Sequence, residues 1–197
     1  PPVFVVSRAT APVTVDGVVE PAEWGGAKPE AAMLLAQDVN GSPASRSSRA
    51  WLAYSPDALY IAVTNDINPD TKLEGNQWGT HDAAEVALQA AKGKPIYVLR
   101  GYPNGHLQFG RAPNGDEEPL TMEPASIVYA AKSPQRGTWV AEFSIPWKML
   151  EAEPTPGARF AFSLSVRKAL DDLWLMWEGT RAHSYDVSRA GIIELAK

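Results

Sequence analysis

The feature that most constrains this chain is a succession of short, mostly apolar segments separated by clusters of Gly, Pro, Asn and Asp. Segments of this length, with a period of two and turn residues between them, are typical of strands in an antiparallel β-sandwich. The candidate strands occupy residues 3–6, 51–54, 59–63, 84–89, 96–101, 107–111, 127–132, 138–145, 160–168, 173–177 and 191–195. We therefore predict an all-β fold, with residues 1–197 forming a single domain.

Local signals support this prediction at particular positions. Asn104-Gly105 between two apolar runs is a strong signal for a hairpin turn. Alternation from 138 to 145 places Trp139, Ala141, Phe143 and Ile145 on one face, which we expect to be core. Helical signals are limited to about one turn each, at 21–24 and 146–150, where a proline stands at the start.

Composition excludes several classes of protein. The chain has no Cys, which rules out disulfides, thiolate nucleophiles and cysteine-ligated metals. Its net charge is −5 without a basic block, so neither a nucleic-acid nor a membrane-surface partner is expected. No apolar run reaches the roughly 18 residues of a membrane-spanning helix, so we expect no membrane insertion. Tryptophan is unusually common, at 7 residues.

Motifs for catalysis are weak. The three His residues lack metal-site spacing, and the sequence contains neither a GxSxG nucleophile motif nor a glycine-rich phosphate loop. Glu85 and Glu142 lie in strand-like segments and are a conceivable acid pair for glycoside hydrolysis. A glycan-active hydrolase therefore stays open as an alternative, although we expect no enzyme.

Three segments carry more specific patterns. The first is V-D-G-x-x-x-x-x-E-W, ending at Trp24, and the second is the run from Trp51 to Val63. The third places Trp78 in a polar, Gly-containing loop just before an acidic strand. A ring in such a loop is hard to bury, so it is either an interfacial residue or a stacking platform.

Together with the W-V-A-E-F-S-I-P-W stretch starting at Trp139, the strand near 160–168 and the final G-I-I-E-L, these segments resemble carbohydrate-binding module family 9. The similarity runs in order from about residue 13 to 195. It implies a DOMON-like β-sandwich of the immunoglobulin or jelly-roll type, with one or two short helical turns. It also implies a non-catalytic domain outside the cytoplasm, periplasmic or secreted, that acts with glycan-degrading enzymes such as a glycoside hydrolase in the same chain or complex.

In that family two Trp rings hold a sugar, usually at a chain end, while polar side chains bind its hydroxyl groups. The resemblance matches Trp78 to the first ring, Glu85 to an acidic hydrogen-bonding residue and Arg100 to an arginine of the next strand. Trp177 best matches the second ring, with Trp174 as the alternative. Since these two lie three positions apart, they point to opposite faces of a strand. The expected ligand is a mono-, oligo- or polysaccharide.

The sequence also departs from the family pattern. Amide positions near the last two strands hold Ser163, Ser165 and Trp174, and Arg167 is a further candidate for donating hydrogen bonds to the sugar. A sandwich that has lost its sugar site therefore stays open as an alternative.

Cofactor expectations also follow from the resemblance. It implies bound calcium, for which Asp16, Glu20, Asp66 and Asp82 are the candidate carboxylates, and it implies no organic cofactor. Because haem-binding DOMON relatives exist, a haem-b electron-transfer domain is another alternative, with Met176 as a candidate ligand.

Overall fold

A computed structural model describes residues 1–115 and 118–197, which form twelve strands and five short 3₁₀ helices. The strands are β1 (Val3–Arg8), β2 (Met33–Asp38), β3 (Pro43–Tyr54), β4 (Ala58–Asp66), β5 (Ala83–Gln89), β6 (Ile96–Gly101), β7 (Leu107–Arg111), β8 (Val128–Lys132), β9 (Thr138–Pro146), β10 (Arg159–Lys168), β11 (Leu173–Met176) and β12 (Gly191–Leu195). The 3₁₀ helices are Pro21–Glu23, Pro29–Ala31, Trp147–Leu150, Ala169–Asp171 and Val187–Arg189. The all-β prediction is confirmed.

The strands are hydrogen-bonded in the order β7-β6-β5-β10-β11-β2-β3-β4-β9-β8. This path folds over into two layers, with β5, β6, β7 and β10 in the front layer and β3, β4, β8 and β9 in the back layer. Side chains from both layers meet in one core, among them Val86 and Phe162 from the front and Ile61 and Phe143 from the back. Burial of these apolar faces is the main force that holds the layers together.

Several local predictions are confirmed. The turn at Asn104-Gly105 closes the β6–β7 hairpin, with Gly105 at φ 90° as this turn requires. The four residues expected on one face of β9, from Trp139 to Ile145, all lie in the main core.

Two features differ from the sequence prediction. Strand β2 was not expected, because its run Met33-Leu34-Leu35 does not alternate and the following Ala, Gln and Asp have low strand propensity. Its pairing with β3 and β11 stabilises it nevertheless. Strand β1 is parallel to both of its partners, and its first four residues pair with β12 whereas its last two pair with β3. It thereby joins the two layers.

Smaller apolar clusters cover the outer faces. On the back layer, Trp24 and Trp51 pack on β3 and β4 beneath the N-terminal loops. On the front layer, Tyr185 and Leu120 pack over β5 and β6. Within the described residues, no helix is long and apolar enough to cross a membrane.

Candidate functional site

A row of polar side chains crosses the outer face of the front layer. In the strand register, Gln108 of β7 is opposite Arg100 of β6, Arg100 is opposite Glu85 of β5, and Glu85 is opposite Ser165 of β10. Because the flanking residues of β5, such as Val86, point into the main core, this row points away from it. Antiparallel pairing therefore brings together residues that are up to 80 positions apart.

The centre of the row is a buried ion pair. Arg100 Nε donates to Glu85 Oε2 at 2.8 Å, and both side chains are almost fully buried. Glu85 Oε1 also accepts from the hydroxyl groups of Ser184, at 2.5 Å, and Ser165, at 3.4 Å. Glu85 was predicted to bind a sugar, but the structure places it beneath the surface, where it holds the Arg100 guanidinium in position.

Trp78 lies directly over this guanidinium. The Arg100 Cζ atom is 4.0 Å from the centroid of the Trp78 ring, which is a cation–π contact. A compact loop presents the ring, because Gln77 N donates to His81 Nδ1 at 3.0 Å and Gly79 adopts φ 84°. A left-handed backbone conformation at position 79 favours glycine, so the glycine after Trp78 allows the loop conformation that presents the ring.

Trp174, the alternative second ring, is the one that lies beside Trp78. The ring centroids are 5.2 Å apart and the ring planes meet at 65°, so the two indoles form a corner. The resemblance implies two rings with a sugar held between them, whereas Trp78 and Trp174 are in edge contact with each other. The strand register explains why the Trp174 ring, and not the Trp177 ring, lies beside Trp78. Trp174 pairs with Arg167 on the neighbouring strand, and both side chains point away from the main core.

Trp177 occupies a different environment. It follows the last residue of β11 and packs against the core, with ring centroids 6.4 Å from Phe4 and 6.2 Å from Phe162. It also lies so close to Gly191 that a Cβ atom there would be 2.4 Å from the ring. Trp177 is therefore a packing residue between β10, β12 and β1, and it does not line the cleft beside Trp78.

Arg167 ties the Trp78 loop to Trp174. Its Nε donates to the carbonyl of Gly79 at 2.9 Å, and its Nη2 donates to Asp172 at 2.8 Å. Its Cζ atom is 4.5 Å from the centroid of the Trp174 ring. Arg167 thus contacts both the Trp78 loop and the Trp174 ring, and it holds the two indoles in position.

The two indoles line an open cleft of about 590 Å³. Its other lining residues are Asn76, Gln77, Gly79, Arg100, Gln108, Glu118 and Pro119. Three of these carry side-chain amides, and none of the three was among the predicted sugar-binding residues, because the resemblance places amides near the last two strands. The Tyr102 hydroxyl donates to Gln108 Oε1 at 2.8 Å, which directs the Gln108 NH₂ group to other partners.

Three side-chain donors in this region lack hydrogen-bond partners among the described residues. They are Arg100 Nη2, Trp78 Nε1 and Arg167 Nη1, and all three atoms are buried. A buried donor without an acceptor destabilises the ligand-free state. A group with acceptor oxygens that reached these atoms would therefore be bound favourably.

The candidate metal ligands do not come together. Asp16 lies in a turn whose backbone NH groups donate to the buried Glu142, whereas Glu20 and Asp66 are exposed and Asp82 is buried. Over residues 1–115 and 118–197 no three His, Asp or Glu side chains are grouped so as to hold a metal ion. The four carboxylates therefore do not fit one shared calcium site.

Glu142 is also separate from Glu85. Its neighbours Ala141 and Phe143 point into the main core, so Glu142 points out of the back layer, whereas Glu85 points out of the front layer. The two carboxylates considered as an acid pair thus lie on opposite outer faces of the sandwich. Burial raises the pKa of Glu142 to about 7.

A cleft lined by indoles, amides and an arginine, on the outer face of one β-sandwich layer, suits a ligand that has both apolar and hydroxyl-bearing surfaces. The chain belongs to the family described as "Carbohydrate family 9 binding domain-like", whose family model matches residues 15–197. This confirms the family predicted from the sequence. Among curated proteins, none matches the chain significantly.

Solved structures show the same fold. A carbohydrate-binding module of family 9 from Caldicellulosiruptor kristjanssonii in complex with cellotriose superposes with a TM-score of 0.74 at 16% identity, covering 99% of this chain and 94% of that one. A module of this family from the same organism in complex with glucose gives 0.71 at 14% identity, covering 98% and 96%. A putative carbohydrate-binding protein from Bacteroides uniformis gives 0.67 at 12% identity, covering 98% of each chain.

Proposed function

We propose that this chain is a non-catalytic domain that binds the end of a glycan chain in the corner between Trp78 and Trp174. The observation that carries the proposal is the pair of indoles meeting at 65° at the wall of an open cleft. The C–H face of a pyranose is apolar and packs well on an indole, so one ring supports the face of the sugar and the other its edge.

Polar groups around the corner supply orientation. The amides of Asn76, Gln77 and Gln108 donate to and accept from hydroxyl groups, and they replace the amides that the resemblance places near the last strands. Arg100 offers a donor, Nη2, that has no partner among the described residues. Glu85 acts through Arg100, because its own oxygens are engaged by Arg100, Ser165 and Ser184.

Family membership supports the class of ligand. Two solved structures with this fold carry cellotriose and glucose, so these two sugars are the first ligands to test. We further propose that the domain works outside the cytoplasm beside a glycan-degrading enzyme, and the family resemblance is the support for this. Raised activity of such an enzyme on insoluble polysaccharide, when joined to the domain, tests this partnership.

The experiment is isothermal titration calorimetry of glucose, cellotriose and a panel of other oligosaccharides against three variants. Trp78→Ala and Trp174→Ala each remove a wall of the corner, and we expect each to weaken binding by about 1–3 kcal/mol. Trp177→Phe is the matched control, because it keeps an aromatic ring in the core, and it should bind like the unchanged chain.

The outcomes separate the alternatives. Loss of binding in Trp177→Phe with retention in Trp174→Ala would show that Trp177 is the second ring. An unchanged chain that binds none of the glycans would support a sandwich that has lost its sugar site.

A further inference from the structure

Lys168 is a cation inside the protein. It is the last residue of β10 and is only 2% exposed. Its neighbour Arg167 points outward to the Trp78 loop, so strand alternation directs Lys168 to the interior. Lysine is rarely buried to this extent without partners for its charge.

Three main-chain carbonyl groups receive the ammonium. Lys168 Nζ lies 2.5 Å from the Asp66 oxygen, 2.9 Å from the Ser47 oxygen and 3.4 Å from the Arg46 oxygen. An ammonium has three hydrogens, so each has an acceptor. The carbonyl groups belong to β3 and β4 of the back layer, whereas Lys168 belongs to the front layer, so these bonds connect the two layers at one end of the core.

Negative charge surrounds this position. Asp66, Asp82 and Asp171 attract the ammonium electrostatically, and Arg46 is the nearby positive group. Asp82 is 2% exposed and accepts from Ala169 N, the residue after Lys168, at 2.8 Å. Carbonyl oxygens with nearby carboxylates are the surroundings that hard cations such as Ca²⁺ require. Two of the four predicted calcium ligands, Asp66 and Asp82, therefore lie around a lysine.

Burial lowers the pKa of Lys168 to about 8, while Asp66 and Asp82 oppose this effect. Only the protonated form has a hydrogen for every one of the three carbonyl groups.

We propose that the Lys168 ammonium is the resident cation of this oxygen cage and that the domain needs no calcium to close this end of the sandwich. The disagreement between the implied metal and the residues present has a direct physical reason. A tethered ammonium satisfies the same carbonyl oxygens without a free ion, and it does so at any calcium concentration. This inference is independent of sugar binding.

The first test measures the melting temperature of the unchanged chain in EDTA and in excess CaCl₂. We expect the two values to agree within about 1 °C, because a ligand that does not bind the native state does not stabilise it. A rise of several degrees with calcium would overturn the proposal, and this measurement needs no variant.

The second test removes the charge. Lys168→Met keeps the length of the side chain but removes the Lys168 donor from three partly buried carbonyl groups, and we expect the melting temperature to fall by about 5–10 °C. Lys92→Met is the matched control at an exposed turn position, where we expect a change within about 1 °C. A Lys168→Met chain as stable as the control would overturn the proposal.

The third test refills the cage. In Lys168→Ala the carbonyl groups have room for a small cation, so ammonium chloride should raise its melting temperature more than tetramethylammonium chloride does at equal ionic strength. Lys92→Met should respond equally to the two salts. Equal responses of Lys168→Ala would show that these carbonyl groups do not act as a cation cage, contrary to the proposal.

Discussion

Replacing Glu85 by alanine isolates the contribution of burial to an ion pair in this domain. The chain contains a second arginine–carboxylate pair of nearly the same length, Arg136–Asp70, with an N–O distance of 2.7 Å against 2.8 Å for Arg100–Glu85. The side chains of Arg136 and Asp70 are 75% and 74% exposed, whereas those of Arg100 and Glu85 are 2% and 1% exposed. The N–O distance is thus almost the same in the two ion pairs, whereas the burial of their side chains differs.

Burial sets the expected magnitude. Two unit charges about 4 Å apart attract by about 1 kcal/mol in water and by about 4 kcal/mol at an effective dielectric constant of about 20. In Glu85→Ala the Arg100 charge stays buried without its carboxylate, and the hydroxyl groups of Ser165 and Ser184 lose their acceptor. We expect the free energy of unfolding to fall by about 3–5 kcal/mol. Asp70→Ala should cost about 0–1 kcal/mol.

The assay is urea unfolding followed by tryptophan fluorescence, with a double-variant cycle. Replacing both partners, as Glu85→Leu with Arg100→Met, removes the buried charges together, so it should cost clearly less than Glu85→Ala. If Glu85→Ala lowers the free energy of unfolding by less than about 1 kcal/mol, burial does not strengthen this ion pair as expected. The same conclusion follows if Asp70→Ala lowers it as much as Glu85→Ala does.

Two further predictions concern other parts of the fold. Burial raises the pKa of Glu142 to about 7, so the stability of the domain should fall as pH rises from about 5 to 8. Glu142→Gln should flatten this part of a profile of melting temperature against pH. An unchanged slope in the variant would contradict this prediction. Gly101→Ala should cost about 1–3 kcal/mol in urea unfolding, since its Cβ atom would lie 2.3 Å from the partly buried Tyr129 ring. Gly115→Ala is the control, because an added Cβ atom there would meet no atom of the described residues within 4 Å, and equal costs would disprove the clash.

Local pattern was sufficient to predict most strands and much of the core. The alternation in β9 placed Trp139 and Phe143 correctly, because successive side chains of a strand point to the main core and away from it in turn, and the period of two leaves few choices. The same reasoning could not find β2, where Leu34 is exposed and Leu35 is buried within an apolar run. Strand β2 depends on pairing with β3 and β11, which no property of its own six residues encodes.

The cleft depends more strongly on long-range register. Strand phase showed that Trp174 and Trp177 point in opposite directions, but not which of them faces outward. The β10–β11 pairing decides this, because it places Trp174 opposite Arg167 on the outer face. The amides of Asn76 and Gln108 were missed for the same reason, since they reach the cleft from a loop and a strand that are distant in sequence.

Glu85 shows that strand alternation can predict the face on which a side chain lies without predicting its contacts. Its position in β5 directs it to the site face, as the alternation implied. Coverage by Ser184 and Tyr185, from a loop about 100 residues later, then buries it. Although it is buried, the Glu85 carboxylate contributes to the shape of the cleft, because it fixes the Arg100 guanidinium on which Trp78 packs. The negative charge at this position is therefore needed for the geometry of Arg100 and Trp78, even though its oxygens are occupied within the protein.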